Sequence, residues 1–198
     1  MPAAKKCKIC REPASVKVPA GHFCSIDHVY QHARNLQDKT RKRKEAKERQ
    51  EHRQRKEAVK TQRQWSAEVQ TVFNKVRRLE ELLYFKQQGI EPWCISCQKP
   101  LGGDQWACGH YKTRGARPDI AMERTNTHLQ HNTQCNSYKS GDVDGQKIGF
   151  ALRYGKDKAE NILANLEVIK PTQKRTAQDW VQLKKEFNAE ARRLQALL

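Results

Sequence analysis

Eight residues of this 198-residue chain form two sets of paired soft donors. The first is Cys7-x2-Cys10 followed by Cys24-x3-His28. The second is Cys94-x2-Cys97 followed by His131-x3-Cys135. A close pair lets one tight turn present two ligands to a tetrahedral ion, and the second pair closes the site across a loop. The two sets use six of the seven cysteines and leave Cys108. The pattern predicts two structural zinc sites. His22 competes with His28 in the first, and Cys108 or His128 competes with His131 in the second. The competing reading of the cysteines is a set of reduced, buried thiols. Structural zinc stabilises small units because its binding free energy becomes folding free energy. Any catalysis must then lie elsewhere.

Composition limits what surrounds these sites. Lys and Arg number 39 against 22 Asp and Glu, a formal charge of +17. Apolar residues are 36% of the chain, below the roughly 45–50% usual for a globule, so part of the chain is expected outside any core. A large positive surplus points to a polyanionic partner, most often nucleic acid. No run of 18 apolar residues exists, which excludes a transmembrane helix. An anionic membrane surface is the weaker alternative, since no basic amphipathic helix with an aromatic face is evident, and no membrane partner is expected. The first residues show no apolar signal-peptide segment, which predicts a cytoplasmic protein with reduced thiols.

The elements that must position the donors are mostly helical. Residues 1–32 read as a zinc knuckle. From His22 to Gln88 there is neither Gly nor Pro, which predicts helix. Residues 33–64 read as a basic helix, since 41–63 hold 11 Lys or Arg and 4 Glu with almost no apolar face. Such a helix is solvated or lies on a partner. Trp65, Val69, Val72, Val76, Leu79 and Leu83 then recur at steps of four and three. This stripe either docks on the rest of the domain or forms a homodimer through helix 65–83. Residues 65–170 read as that helix plus the second zinc-containing module. Lys147 to Val168 reads as helix with Ile148, Leu152, Ile162 and Leu166 on its apolar side, weakened at its start by Gly149 and Gly155. Pro171 breaks it. Residues 171–198 read as an amphipathic helix with a Thr176–Asp179 capping box and Trp180, Leu183, Phe187, Leu194 and Leu197 along one face.

Between the donor pairs of the second set lies Cys108-Gly-His-Tyr111. Downstream come Asn126-Thr-His-Leu-Gln-His131 and Cys135-Asn-Ser-Tyr-Lys-Ser140-Gly. This segment resembles the HNH, or ββα-metal, endonucleases that carry a structural zinc. It is most similar to the NinG/Rap family of lambdoid-phage recombination endonucleases. The matching residues are Cys94-Ile-Ser-Cys97, Gln105-Trp106, Gly109-His110-Tyr111, Glu123-Arg124, Asn126-x-His128-x-Gln130 and Cys135-Asn136-x-x-Lys139-Ser140-Gly141. The resemblance implies an α+β, mostly helical fold: a zinc-stabilised ββα-metal finger with an N-terminal zinc knuckle and a long basic helix. It also implies metal-dependent cleavage of branched DNA such as Holliday junctions by a phage-encoded protein in the host cytoplasm. The functional positions carried over are His110, Asn126, Asn136 and Lys139. Gly109 stands where many HNH enzymes have Asp, and His131 where many relatives have Cys.

The chemistry of those residues agrees with the resemblance. Phosphodiester hydrolysis needs an activated water, charge neutralisation and a stabilised leaving oxygen. An imidazole titrates near working pH, so His110 can take the proton. Mg²⁺ or Mn²⁺ can act as a Lewis acid, and Asn136 offers it an amide oxygen. Asn126 is expected to orient the loop or the imidazole. Lys112, Arg114, Arg117 and Lys139 are expected phosphate contacts. The competing readings are His110 as a zinc ligand, His128 as a metal ligand or a hydrogen-bonded loop histidine, Asn136 as a helix cap, and Glu123–Arg124 as a structural pair. The leading function is a structure-selective DNA endonuclease. The alternative is a non-catalytic zinc-finger nucleic-acid-binding protein, which needs no general base beside a zinc pair.

Overall fold

The computed structural model describes residues 5–102, 106–170 and 175–198. Gln105 of the motif and the helix-breaking Pro171 lie outside the described residues. The chain divides into two compact units, one up to Lys60 and one from Thr61.

In the first unit, β1 (Val16–Val18) and β2 (Gly21–Phe23) form an antiparallel hairpin with Val16 opposite Phe23. Helix α1 (Ile26–Ala58) follows directly. The Gly- and Pro-free stretch does not start as helix at His22, because His22 and Phe23 are spent in β2. Ser25 caps α1 by accepting from the His28 backbone N–H, as a short polar side chain at this position does. No residue of α1 is buried. It is held locally by pairs four residues apart, among them Arg49–Glu45 and Arg55–Glu51 at 3.8 Å. Exposed pairs of this kind contribute little each.

The second unit opens on α2 (Gln62–Gln88). Thr61 and Gln64 form a capping box at its start, and Gly89, at φ 67°, ends it. The apolar stripe of α2 is covered by α5 (Ala177–Gln195): Trp65, Val69, Phe73, Val76 and Leu79 pack with Trp180, Phe187, Ala191 and Leu194. Of the two readings of helix 65–83, docking on the rest of the domain is the one the structure shows, because α5 supplies a matching apolar face. The Thr176–Asp179 capping box forms at the start of α5. Leu197 stays half exposed beyond the end of the helix.

On another side α2 carries the site. Strands β3 (Trp106–His110) and β4 (Thr127–His131) pair antiparallel, with Trp106 opposite His131 and His110 opposite Thr127. Arg77 of α2 donates to Thr127 Oγ1 at 3.0 Å and to the Thr127 carbonyl at 2.7 Å, and pairs with Glu81 at 3.0 Å. Glu81 also takes Arg153 of α3 (Val143–Tyr154) and is buried. A buried pair has its desolvation offset only when its remaining groups are hydrogen-bonded; here Arg77 and Glu81 each make several hydrogen bonds, and the Arg153 guanidinium also lies over the Tyr84 and Phe85 rings. This network fixes α2, β4 and α3 to one another.

Helix α3 is followed by α4 (Lys156–Val168), and Gly155 at φ 82° turns the chain between them. The expected apolar side is corrected for its first half: Ile148 and Leu152 are exposed, while Phe150 is fully buried against Tyr111, Ile120 and Leu166. The reason lies in two glycines four residues apart. A Cβ at Gly149 would stand 1.8 Å from the Ile95 carbonyl oxygen, and one at Gly145 would stand 2.4 Å from that of Ser96. The glycine face lets α3 lie directly on the Cys94–Cys97 turn.

Candidate functional site

The two Cys-x2-Cys turns are built alike. Cys7 and Cys94 each accept at their carbonyl from the residue after the second cysteine, Arg11 at 3.0 Å and Gln98 at 2.9 Å. Cys7 and Cys94 each donate their N–H to the following residue, Glu12 at 2.8 Å and Lys99 at 2.9 Å. Arg11 and Gln98 both adopt positive φ, 69° and 57°, the turn of the backbone that lets both sulfurs face one point. Pro13 and Pro100 close the two turns by bridging Lys6 and Trp93.

Cys7, Cys10, Cys24 and His28 bring four donor atoms within 4.8 Å of one another, and so do Cys94, Cys97, His131 and Cys135. In the first set, His28 Nδ1 lies 3.0 Å from Cys24 Sγ and 3.5 Å from Cys7 Sγ. His22 sits on β2 opposite Lys17 and takes no part. In the second set, His131 Nδ1 lies 3.2 Å from Cys97 Sγ, and Cys94 and Cys135 sulfurs are 3.8 Å apart. A tetrahedral ion bound at about 2.0–2.3 Å needs donor separations of about 3.3–3.8 Å, so both sets can hold a zinc ion. His131 Nε2 donates to the Pro100 carbonyl at 3.1 Å, which leaves Nδ1 with its lone pair toward the sulfurs. Burial pushes the Cys135 thiol up to about 12; a bound cation is what would hold it as a thiolate. Cys108 is pushed up to about 12 by burial as well, but it stands on β3 opposite Leu129, outside the donor set.

Directly after His131 the chain makes a π-helical turn over Asn132–Tyr138 that carries Cys135 and Asn136. Asn136 lies inside this turn, so it is no N-cap. His110, at the end of β3, and Asn136 line the same cleft of about 480 Å³, together with Asn74, Arg78, Arg114 and Asn132. His110 belongs to neither donor set. Its Nε2 lies 3.0 Å from the Ala121 carbonyl, to which Gln70 also donates at 3.1 Å. A carbonyl only accepts, so Nε2 carries the proton and Nδ1 keeps its lone pair. Burial, with the Arg114 charge in addition, holds the imidazole below its ordinary 6.5. The ring is therefore neutral at neutral pH.

Asn126 is placed differently from His110. It is fully buried. Its amide donates to the carbonyls of Lys112 and Ile120, both at 3.1 Å, and accepts from the Lys112 N–H at 2.7 Å. It clamps the loop after His110 and does not line the cleft. Lys139 is exposed and pairs with Asp142 at 3.2 Å. The reading of His128 as a metal ligand is corrected: it is buried, bonds Tyr154 Oη at 2.7 Å and meets Phe150 edge-on. Side chains on a strand alternate between faces, and β4 turns His128 into the core. Two expected phosphate contacts are also corrected. Arg117 is held by Asp119 and by the Leu166 and Ile169 carbonyls, and Lys112 pairs with Glu167. Arg124 bridges Glu80 and Glu190 at 2.9 and 2.8 Å, while Glu123 caps its own turn. Arg78, Asn74 and Asn132 were missed.

Gly109 has a steric reason. A Cβ there would lie 2.1 Å from Gln130 Oε1. Gln130 is buried and donates to Ser96 and to the Gly141 carbonyl. The space that an acidic side chain before the histidine would need is filled from the opposite strand.

A family model described as Bacteriophage Lambda NinG protein matches residues 1–196. A "Protein ninG" of Escherichia phage 933W is 28% identical over 175 residues, covering 83% of this chain and 82% of the relative. The "Protein ninG" of Escherichia phage lambda is 29% identical over 111 residues, covering 56% of this chain and 50% of the relative. That of Salmonella phage P22 is 30% identical over 101 residues, covering 51% and 45%. No solved structure matches significantly. No helix among the described residues is long and apolar enough to cross a membrane.

Proposed function

Since the chain belongs to the NinG family of bacteriophage proteins, we propose that it is a metal-dependent, structure-selective DNA endonuclease of the HNH type that cuts branched recombination intermediates such as Holliday junctions. The observation that carries this reading is a single juxtaposition. His110 and Asn136 line one cleft beside the second Cys/His set, with Arg78 and Arg114 on its walls. A module that only bound nucleic acid would have no use for a half-buried, neutral imidazole whose Nε2 is tied to a carbonyl.

In this reading the chain's own groups do three things. Nδ1 of His110 takes the proton of the attacking water, because the Ala121 carbonyl holds Nε2–H in place. Arg114 and Arg78 line the cleft as cations, and such cations stabilise the charge that develops on phosphorus oxygens. Arg78 is steadied by its bond to the Trp106 carbonyl at 3.1 Å. Asn126 fixes the loop that bears Arg114.

The polar lining of the cleft is amides, hydroxyls, arginines, the His110 imidazole and Cys108, with no carboxylate among its described residues. Mg²⁺ is usually held through one or two carboxylates and substrate phosphates. The fit here is to an ion shared with substrate: the Asn136 amide oxygen and phosphate oxygens would hold it. Bound there, it would supply Lewis-acid neutralisation of the phosphate. The formal charge of +17 and the uncovered α1 support DNA as the partner.

The test is incubation of the purified chain with a synthetic four-way junction and with linear duplex, with and without Mg²⁺. Cleavage confined to the junction and dependent on Mg²⁺ is expected. Tight binding with no cleavage under any divalent ion would return the chain to the alternative of a zinc-containing binding protein.

A further inference from the structure

Two clefts in the Thr61–Leu198 unit share one arginine. Arg114 lines the cleft of His110 and also a groove of about 750 Å³, whose walls include Arg63, Ser66, Gln70, Arg175 and Trp180. Between them stands the Ala121 carbonyl, bonded on one side by His110 and on the other by Gln70. The groove has a firm floor. Trp180 is buried, its indole donates to Gln62 Oε1 at 2.7 Å, and the Arg175 guanidinium lies over its ring at 4.9 Å. The lining carboxylate, Asp119, already has a partner: Arg117 bonds both its oxygens, at 2.7 to 3.2 Å. Among the described residues, three arginines therefore line a groove whose acidic wall residue, Asp119, is ion-paired.

Like charges around a concavity repel one another unless an anion lies between them. Guanidinium groups take phosphate in a fork, and Ser and Gln side chains are common donors to phosphate and sugar. We propose that this groove binds the sugar–phosphate backbone of the DNA strand whose scissile phosphate lies at His110, on the side that runs past Arg114. The proposal rests on the nuclease reading and deepens it. Because phosphate contacts carry no sequence information, the groove holds a strand by its charge and direction, whatever its bases. That suits a protein that selects by branch geometry.

The test uses the full chain on a labelled four-way junction, by fluorescence anisotropy from 50 to 200 mM salt, with Ca²⁺ in place of Mg²⁺. The variants are R63Q/R175Q and, as a control of equal charge loss, K156Q/K185Q on α4 and α5. The slope of log affinity against log salt should fall by about two for the groove pair, near 0.9 for each lost phosphate contact, and by clearly less for the control. A junction with neutral methylphosphonate linkages around the crossover should weaken the wild type more than the groove pair. Equal slopes for the two pairs, or equal sensitivity to the neutral linkages, would overturn the proposal. R63Q alone, which leaves the Arg175–Trp180 contact intact, should show about half the slope change; no change would count against the groove. Failure of the nuclease reading looks different: no cleavage by the wild type in Mg²⁺, or full cleavage by H110A, with the slopes free to come out either way.

Discussion

Nε2 of His110 lies 3.0 Å from the carbonyl oxygen of Ala121, and that contact decides which nitrogen of the ring can act. The carbonyl fixes the proton on Nε2. Burial and the neighbouring Arg114 keep the ring neutral. A general base is useful only in its neutral form, and a lowered affinity for protons extends the pH range in which that form exists. Junction cleavage should therefore hold its plateau down through pH 6.5 and fall only below it. An inflection at or above pH 7 in the single-turnover rate would contradict the assignment.

The two donor sets predict metal content. The purified chain should carry two zinc ions, measured by atomic emission. His28→Ala should lose one and His22→Ala none; His131→Ala should lose one and Cys108→Ala none. Cys94→Ser should lose one ion and also loosen α3, because α3 lies on the Cys94–Cys97 turn through Gly145 and Gly149. One ion in the wild type, or loss on changing Cys108, would refute the assignment.

Gly109 should resist any side chain. Gly109→Ala drives a methyl group into Gln130, and overpacking of this kind typically costs about 1–3 kcal/mol. Gln130→Ala in the same chain should recover part of that loss in urea unfolding. A neutral Gly109→Ala would mean the strands open more freely than their pairing implies.

His128 should make the fold acid-sensitive. Burial holds its imidazole down to about 3, whereas in the unfolded chain it titrates near 6.5. Between those values the unfolded chain binds more protons. Stability is therefore full above about pH 6.5 and declines as pH falls, by up to about 1.4 kcal/mol per pH unit from this one group. His128→Gln should flatten the decline between pH 6.5 and 4. An unchanged slope would show that other groups set it.

The sequence made the metal donors legible because local spacing fixes them, whereas the hairpin histidine was marked by the family resemblance. Two ligands on one tight turn leave a pattern that survives without tertiary knowledge. So do the Thr176–Asp179 box and the stripe on α2. What stayed hidden depends on contacts across long separations. Arg78 and Asn74 reach the cleft from α2 and Gln70 reaches the Ala121 carbonyl beside it, and nothing in that helix's periodicity says which polar residues face the hairpin. Arg117 reads as a phosphate contact by charge, yet its partners Leu166 and Ile169 lie some fifty residues on. In α3 the apolar residues Ile148 and Leu152 suggested the wrong face. The usable signal was the pair Gly145 and Gly149, four residues apart beside Phe150, which marks a helix lying on backbone.

The most direct measurement is a comparison of His110→Ala with the wild-type chain on one four-way junction, scoring cleavage in Mg²⁺, binding in Ca²⁺ and zinc content together. The nuclease account predicts a rate lower by about 10²–10⁴-fold, with junction affinity and two bound zinc ions unchanged. Cleavage at the wild-type rate, or loss of a zinc ion from the variant, would contradict it.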